Sequence, residues 1–430
     1  MSPILRLALP AIISNVTVPL LGLVDMAIVG HMGDVAYIGA ISIGSMIFTS
    51  LYWMFGFLRM GTSGITAQEY GRKGDTERIF RQTALIALLL SAGILLLCWP
   101  ICKVALWLMS PEESVLPHVV TYYYICVIGA PAVLLQYSLT GWFIGLQDTK
   151  RPMIIAISQN VFNIVMSLLF VYALHMQVEG VALGTMLSQW FAVILGVLLR
   201  LHPNPPHKGG VKDISSANVD PLFRKGEVKR LFTVNRDIFL RTLCMLSVLF
   251  FFTSAGSRQG ANLLAVNTLL MQTWLIFSYF MDGFAFAGEA LCGQYYGAGN
   301  RQMLMKTVKD LFVWGIGLAM VFTMLYGFFT TDFLSLLTDE ADVMALAHDY
   351  SVWMILLPAV GFSAFLWDGI FIGMTNSRGM FLSCATAALC FGAVYCLSVD
   401  TMGNNGLWLA WMVFLFVRGA VQLVLFRRGF

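Results

Sequence analysis

The chain alternates long apolar runs with short charged or Gly/Pro-rich breaks. A helix needs about 20 mainly apolar residues to cross a bilayer. Runs of that kind stand at about 4–30, 37–67, 83–109, 117–145, 153–175 and 178–200, and again at about 236–257, 261–295, 308–331, 342–374, 380–399 and 404–426. The pattern predicts an all-α integral membrane protein with about twelve spanning helices in two sets of six. Several runs exceed the minimum, which implies tilt or helical extension beyond the hydrocarbon. Between the sets lies the longest hydrophilic stretch, residues 202 to about 229, opening on PNPPHKGG at 203–210, where paired prolines and glycines deny helix and strand alike. The expected organisation is a first lobe at 1–201, a cytoplasmic linker at 202–230 and a second lobe at 231–430. The end of the linker mixes Leu222, Phe223, Val228, Leu231 and Phe232 with Arg224, Lys225, Lys229 and Arg230. That mixture suits a helix lying on the inner leaflet, and equally a solvated basic loop.

Composition fixes the solvent. With 58% hydrophobic and 11% charged residues and a mean hydropathy of +0.78, the chain falls outside the soluble class, where roughly 25% of residues are charged. The first apolar run continues to about Gly30 without the short core and small-residue cleavage site of a signal peptide, so the first helix is expected to remain. The eight cysteines show no zinc-type spacing and read as small apolar side chains.

Charge sets orientation. Arg72, Lys73, Arg78, Arg81, Lys150, Arg151, Arg301, Lys306, Lys309, Arg378, Arg427 and Arg428 fall in even-numbered connections or at the C-terminus. Odd-numbered connections carry Glu112, Glu113, Asp332, Asp339, Glu340, Asp342 and Asp400, with Lys103 and Arg258 as basic exceptions. An excess of Lys and Arg marks the cytoplasmic side, so both termini are expected there.

The two sets are copies. QEYG at 68–71 matches QYYG at 294–297 (297 − 71 = 226), FIGLQDTK at 143–150 matches FIGMTNSR at 371–378 (373 − 145 = 228), and GVALGTM at 180–186 matches GLWLAWM at 406–412 (406 − 180 = 226). An offset this constant across segments so far apart signals an internal duplication. Six spans return the chain to its starting side, so the halves share one orientation and are related by an axis along the membrane normal, an arrangement of transporters.

Ionisable groups at membrane depth are costly, about 2.5–3.5 kcal/mol for an acid, and mark functional sites by default. Asp25 lies inside the first span, with no basic residue nearby in the sequence. A carboxylate placed there suits the acceptance of a proton. The fifth span adds Gln159, Asn160, Asn163 and Ser167, of which Asn160, Asn163 and Ser167 share a helical face, and the sixth adds Thr185 and Gln189. These side chains are either partners for the Asp25 proton or a cation, or interhelical hydrogen bonds. The second half carries Asp282 and Glu289 on one helical face, and Asp368 before Gly369; these are polar candidates there, and for Asp282 and Glu289 the alternative is pairing with basic residues near helix ends, such as Arg241.

At PLLGLVDMAIVGHMG (19–33), FIGLQDTKRP (143–152), NRDIFLRT (235–242) and DGFAFAGEALCGQYYGAGN (282–300) the chain resembles the multidrug and toxic compound extrusion (MATE) family, particularly its DinF-like bacterial branch. The resemblance runs over nearly the whole chain. It implies twelve helices in two lobes that form a V-shaped cleft in a bacterial inner membrane, and export of organic, often cationic, compounds against protons or sodium ions. It assigns Asp25 as the first-helix acid, Asn163 and Thr185 as its fifth- and sixth-helix partners, and Pro10 as a proline at which the first helix bends. One departure matters. Many relatives carry a second acid four residues after the asparagine, where this chain has Ser167. Asp25 is then the single evident acid of the first-lobe site, which favours protons as the coupling ion and leaves sodium at Asp25 as the alternative.

The reading is a monomeric secondary antiporter for organic cations, in contact with membrane lipids and with no cofactor, bound metal or nucleic-acid partner. Two other classes compete. A flippase for lipid-linked sugars shares the architecture, yet needs intramembrane cations to meet a pyrophosphate, and only Arg59 and Arg418 clearly qualify. A membrane-embedded transferase needs clustered His and Asp at one membrane face, whereas the six histidines are scattered.

Overall fold

The computed structural model describes residues 2–30, 35–201, 225–337 and 340–429, with no strand among them. The first half comprises α1 (Pro3–Gly30), α2 (Val35–Met54), α3 (Phe57–Gly71), α4 (Thr76–Leu96), α5 (Cys98–Met109), α6 (Leu116–Cys126), α7 (Ala130–Gly145), α8 (Lys150–Leu168) and α9 (Val178–Leu201). The second comprises α10 (Lys225–Ser257), α11 (Ala261–Gly297), α12 (Arg301–Phe328), α13 (Thr330–Leu337), α14 (Ala341–Asp349), α15 (Ser351–Gly373), α16 (Ser377–Met402) and α17 (Asn404–Gly429). Among the described residues, eleven stretches are long and apolar enough to cross a membrane, from 36–71 through 404–429. The helix α1, of 28 residues, stands where the first span is expected. A 3-10 turn at Val127–Gly129 joins α6 to α7 within one such stretch.

The boundaries differ from the apolar runs for a physical reason. Hydropathy rises only where side chains meet lipid, whereas a helix begins at its cap. Asp75 accepts from the Arg78 backbone N–H at 3.0 Å and Asn300 from that of Met303 at 3.0 Å, so α4 and α12 start several residues before their apolar runs. The run at 83–109 is two helices. Pro100, in the first turn of α5, has no N–H to give the Leu96 carbonyl, and α4 ends there. The run at 342–374 likewise divides into α14 and α15. Residues 225–232 form the first turns of α10 in one continuous helix with the following span, rather than a separate surface helix. Linker residues 202–224 lie outside the described residues.

Contacts divide the chain into two compact units, residues 13–230 and residues 231–430 together with 1–12. Within each, the repeated motif does the same work. Gln147 and Thr375 (147 + 228 = 375) adopt left-handed backbones, φ 63° and 52°, that end α7 and α15. Asp148 N–H then reaches back to Phe143 O, and Asn376 N–H to Phe371 O, both at 2.9 Å. The same two side chains start the next helices, Asp148 Oδ1 accepting from the Lys150 and Arg151 N–H groups at 3.2 Å and Asn376 Oδ1 from Gly379 N–H at 3.1 Å. The motif is a stop and a start in eight residues.

Its glycine is a packing requirement. A Cβ at Gly145 would lie 2.6 Å from Thr66 Cβ and 2.8 Å from Ser63 O of α3; one at Gly373 would lie 2.6 Å from Glu289 O and 2.8 Å from Gly293 N of α11. Both lobes are therefore built on a close crossing of their second and fourth spans, the geometry that small residues permit in membranes. Gly373→Ala forces backbone apart and is expected to destabilise by about 1–3 kcal/mol. Gly317→Ala, with nothing within 4 Å of the added Cβ, is expected to be neutral or mildly stabilising. Unfolding midpoints of the two variants in detergent measure the contrast, and equal midpoints would contradict it.

Candidate functional site

The polar face expected on the fifth span is assembled by α8 and α9. Asn163 is fully buried and donates from Nδ2 to Thr185 Oγ1 at 3.2 Å, while Thr185 Oγ1 donates to Val181 O at 3.0 Å. Ser167, also fully buried, faces Gly184 of α9, where a Cβ would come within 2.5 Å of its Oγ. Two acceptor oxygens, Asn163 Oδ1 and Ser167 Oγ, have no hydrogen-bond partner among the described residues. Buried polar atoms are nearly always paired, so this pair of helices presents uncommitted oxygens at membrane depth. Immediately beyond Ser167 the helix widens into a π turn at Leu169–Ala173, with Leu174 N–H bonding to Leu169 O at 3.2 Å. Such turns concentrate at functional sites.

Asn160, one turn before Asn163, is half-buried and donates from Nδ2 to Thr17 O of α1 at 3.2 Å. It ties α8 to α1 rather than joining the oxygens of Asn163 and Ser167. Asp25 stands eight residues beyond Thr17 on α1 (25 − 17 = 8); its side chain lies outside the described residues. Pro10 is buried, and α1 runs through it as one helix. The structure adds Gln136 of α7, which donates to Gln159 Oε1 at 2.7 Å. An isolated glutamine in an apolar run carried no periodic signal, and only its partner had been marked. Gln189 of α9 leaves Oε1 buried and, among the described residues, unpartnered, close to Gly129.

The second unit is built differently. Asp368 of α15 is buried and both its oxygens are taken: Oδ2 accepts from Arg241 of α10 and from Arg418 of α17, and Oδ1 accepts from Gln422 Nε2 at 2.7 Å. Asp282 is half-buried on α11. Glu289 is buried on the same helix, one turn from the Gly293 that faces Gly373. Asp237 is buried and accepts from Arg236 and from Ser377 Oγ at 3.1 Å. Asp368, one of the three acids marked in this half, is thus committed to a salt-bridged network. Among the described residues no three His, Cys, Asp or Glu side chains gather as a metal site.

Comparison with known proteins agrees with the duplication and the fold. The family model described as MatE matches the chain twice, over residues 10–169 and 238–397, an offset of 228 (238 − 10 = 228). The DNA damage-inducible protein F of Escherichia coli (strain K12) is 37% identical over 425 residues, covering 98% of this chain and 91% of that protein. The probable multidrug resistance protein NorM of Photorhabdus laumondii is 21% identical over 446 residues, covering 99% of this chain and 94% of that one. A crystal structure of MATE in complex with MaD3S superposes with a TM-score of 0.85 over 99% of this chain and 95% of the other, at 19% identity. At that identity the likeness concerns the fold.

Proposed function

This chain belongs to the MatE family, and from that premise we propose that it is a multidrug efflux transporter that exports organic, cationic amphiphilic compounds in exchange for protons by alternating access. The observation that carries the coupling step is the bond between Asn160 and Thr17. The first and fifth spans are both odd-numbered and rise in the same direction. With Asn160 level with Thr17, eight residues of rise on each helix bring Asp25 level with Leu168, the residue after Ser167, about 12 Å further along. The Ser167 Oγ then lies within about one residue of the depth of the acid in α1, with Asn163 Oδ1 one turn before it on α8. Protonated Asp25 donates to one of these oxygens. Deprotonated Asp25 leaves a carboxylate that attracts an organic cation. Competition between proton and cation for one group links the two fluxes.

The proposal extends to topology: a bacterial inner-membrane monomer with both termini cytoplasmic, whose lobes span 1–201 and 231–430 about a linker at 202–230. Export of cations is favoured over flipping of pyrophosphate lipids because Arg418, one of the two intramembrane cations that would meet a pyrophosphate, is committed with Arg241 to Asp368.

The coupling ion is testable. Sodium prefers several hard oxygen ligands, and here one carboxylate supplies the formal charge while Asn163, Ser167 and Thr185 are neutral. A proton needs only Asp25 and one acceptor. In proteoliposomes, an imposed proton gradient alone is expected to drive efflux of a cationic dye, with sodium having little effect. Ser167→Asp supplies the second carboxylate and is expected to raise sodium dependence. Sodium-driven, proton-insensitive efflux by the wild type would overturn proton coupling.

A further inference from the structure

The duplication pairs positions between the halves, and the counterpart of the first-lobe polar pair is aromatic. Thr185 in GVALGTM corresponds to Trp411 in GLWLAWM (185 + 226 = 411), and Asn163 to Cys390 or Phe391 (163 + 227 or 228). The Trp411 ring stands edge to face with Trp274 at 5.6 Å, tilted against Phe252 at 5.6 Å and stacked on Phe414 at 5.5 Å. Trp274 in turn contacts Phe365 at 6.1 Å. Trp411 is 1% exposed and Trp274 8%.

Neither indole N–H has an acceptor among the described residues. This is a local property, since other indoles are satisfied: Trp408 donates to Asn267 Oδ1 at 2.8 Å, Trp353 to Asn405 Oδ1 at 2.8 Å and Trp142 to Thr76 O at 2.9 Å. A buried indole normally finds a partner, and an N–H aimed at a neighbouring ring recovers only part of a normal bond. Two adjacent donors without acceptors, inside an aromatic surround, lack one chemical group: an acceptor on something flat and apolar.

We propose that the second lobe holds a ligand site at Trp274 and Trp411, which takes a planar aromatic molecule bearing a hydrogen-bond acceptor such as a ring carbonyl. The ring faces supply stacking and attract any positive charge on the ligand. The two N–H groups supply selectivity, because an analogue without the acceptor leaves them unpaired. With the two rings 5.6 Å apart edge to face, a flat molecule enters only when the side chains part, so binding changes their fluorescence. The inference deepens the export reading by giving part of the cargo's chemistry, and rests on that reading only for the statement that the ligand is exported.

Purified protein is titrated without any ion gradient with acridone, three fused rings carrying one carbonyl and one ring N–H, and with anthracene, three fused all-carbon rings without an acceptor. Acridone is expected to bind the wild type at least about tenfold more tightly, the worth of one good hydrogen bond. Trp274→Phe and Trp411→Phe each keep an aromatic ring and remove the N–H; each is expected to abolish that preference while leaving anthracene binding in place. Trp107→Phe, at a residue 77% exposed, controls for changes in total fluorescence and leaves the preference intact. Two substitutions guard against one failing to fold. No preference for acridone in the wild type, or a preference that survives both substitutions, overturns the site. Gradient-driven dye efflux, measured separately, tests the export reading: efflux without acridone preference refutes this site alone, and preference without efflux refutes export alone.

Discussion

Asp25→Asn is expected to yield a protein that inserts, folds and unfolds at the wild-type temperature or slightly above it, and exports a cationic dye no faster than protein-free vesicles leak it. The amide keeps the shape of the carboxyl and loses the titratable proton, so shape-dependent roles survive and coupling does not. The stability half of the expectation follows from solvation. An acid at membrane depth costs about 2.5–3.5 kcal/mol to insert, and an amide costs less. If Asp25 instead served to hold helices together, its replacement would remove charge-assisted hydrogen bonds and the unfolding midpoint would fall. Dye efflux and detergent unfolding on the same preparation separate these roles. Export at the wild-type rate, or a large fall in midpoint, would remove Asp25 from the coupling site.

Much of this architecture was legible in the sequence, because lipid imposes a coarse code. Apolar runs of sufficient length have few alternatives to spanning helices, and each expected span falls on one helix or on two consecutive ones. Boundaries were less legible, since Asp75 and Asn300 start helices by capping inside polar stretches and Pro100 divides what hydropathy joins. Asn160, Asn163 and Ser167 were visible as one helical periodicity and Thr185 with Gln189 as another, and the bond from Asn163 to Thr185 joins the two helices. The unmatched oxygens were not visible, because satisfaction depends on which atoms the fold brings near. The same holds more strongly in the second lobe. Nothing near Asp368 in the chain points to Arg241, 127 residues earlier, or to Arg418, 50 residues later. Trp274 and Trp411 read as two apolar residues among many until their N–H groups are followed to an acceptor and none is found.

The ion network of the second lobe supports the other large expected effect. Asp368→Asn leaves the Arg241 and Arg418 guanidinium groups buried against each other with no carboxylate between them. Removing one partner from a buried ion pair costs about 3–5 kcal/mol, chiefly through the charge left behind, so a steep fall in unfolding midpoint and in yield of folded protein is expected. The first lobe indicates how to reverse it. The counterparts of Asp368, Arg418 and Arg241 are Thr140 (368 − 228), Ala192 (418 − 226) and Ile13 (241 − 228), and the same helical scaffold forms around them without the charges. Replacing a buried ion cluster as a whole by neutral residues is often neutral or stabilising. The triple variant Asp368→Thr, Arg418→Ala and Arg241→Ile is therefore expected to recover most of the midpoint that Asp368→Asn loses, although it changes three residues instead of one. Such a reversal would mark Asp368 as a strut between α10, α15 and α17. A wild-type midpoint in Asp368→Asn accompanied by loss of dye export would instead make Asp368 an acid of the transport cycle.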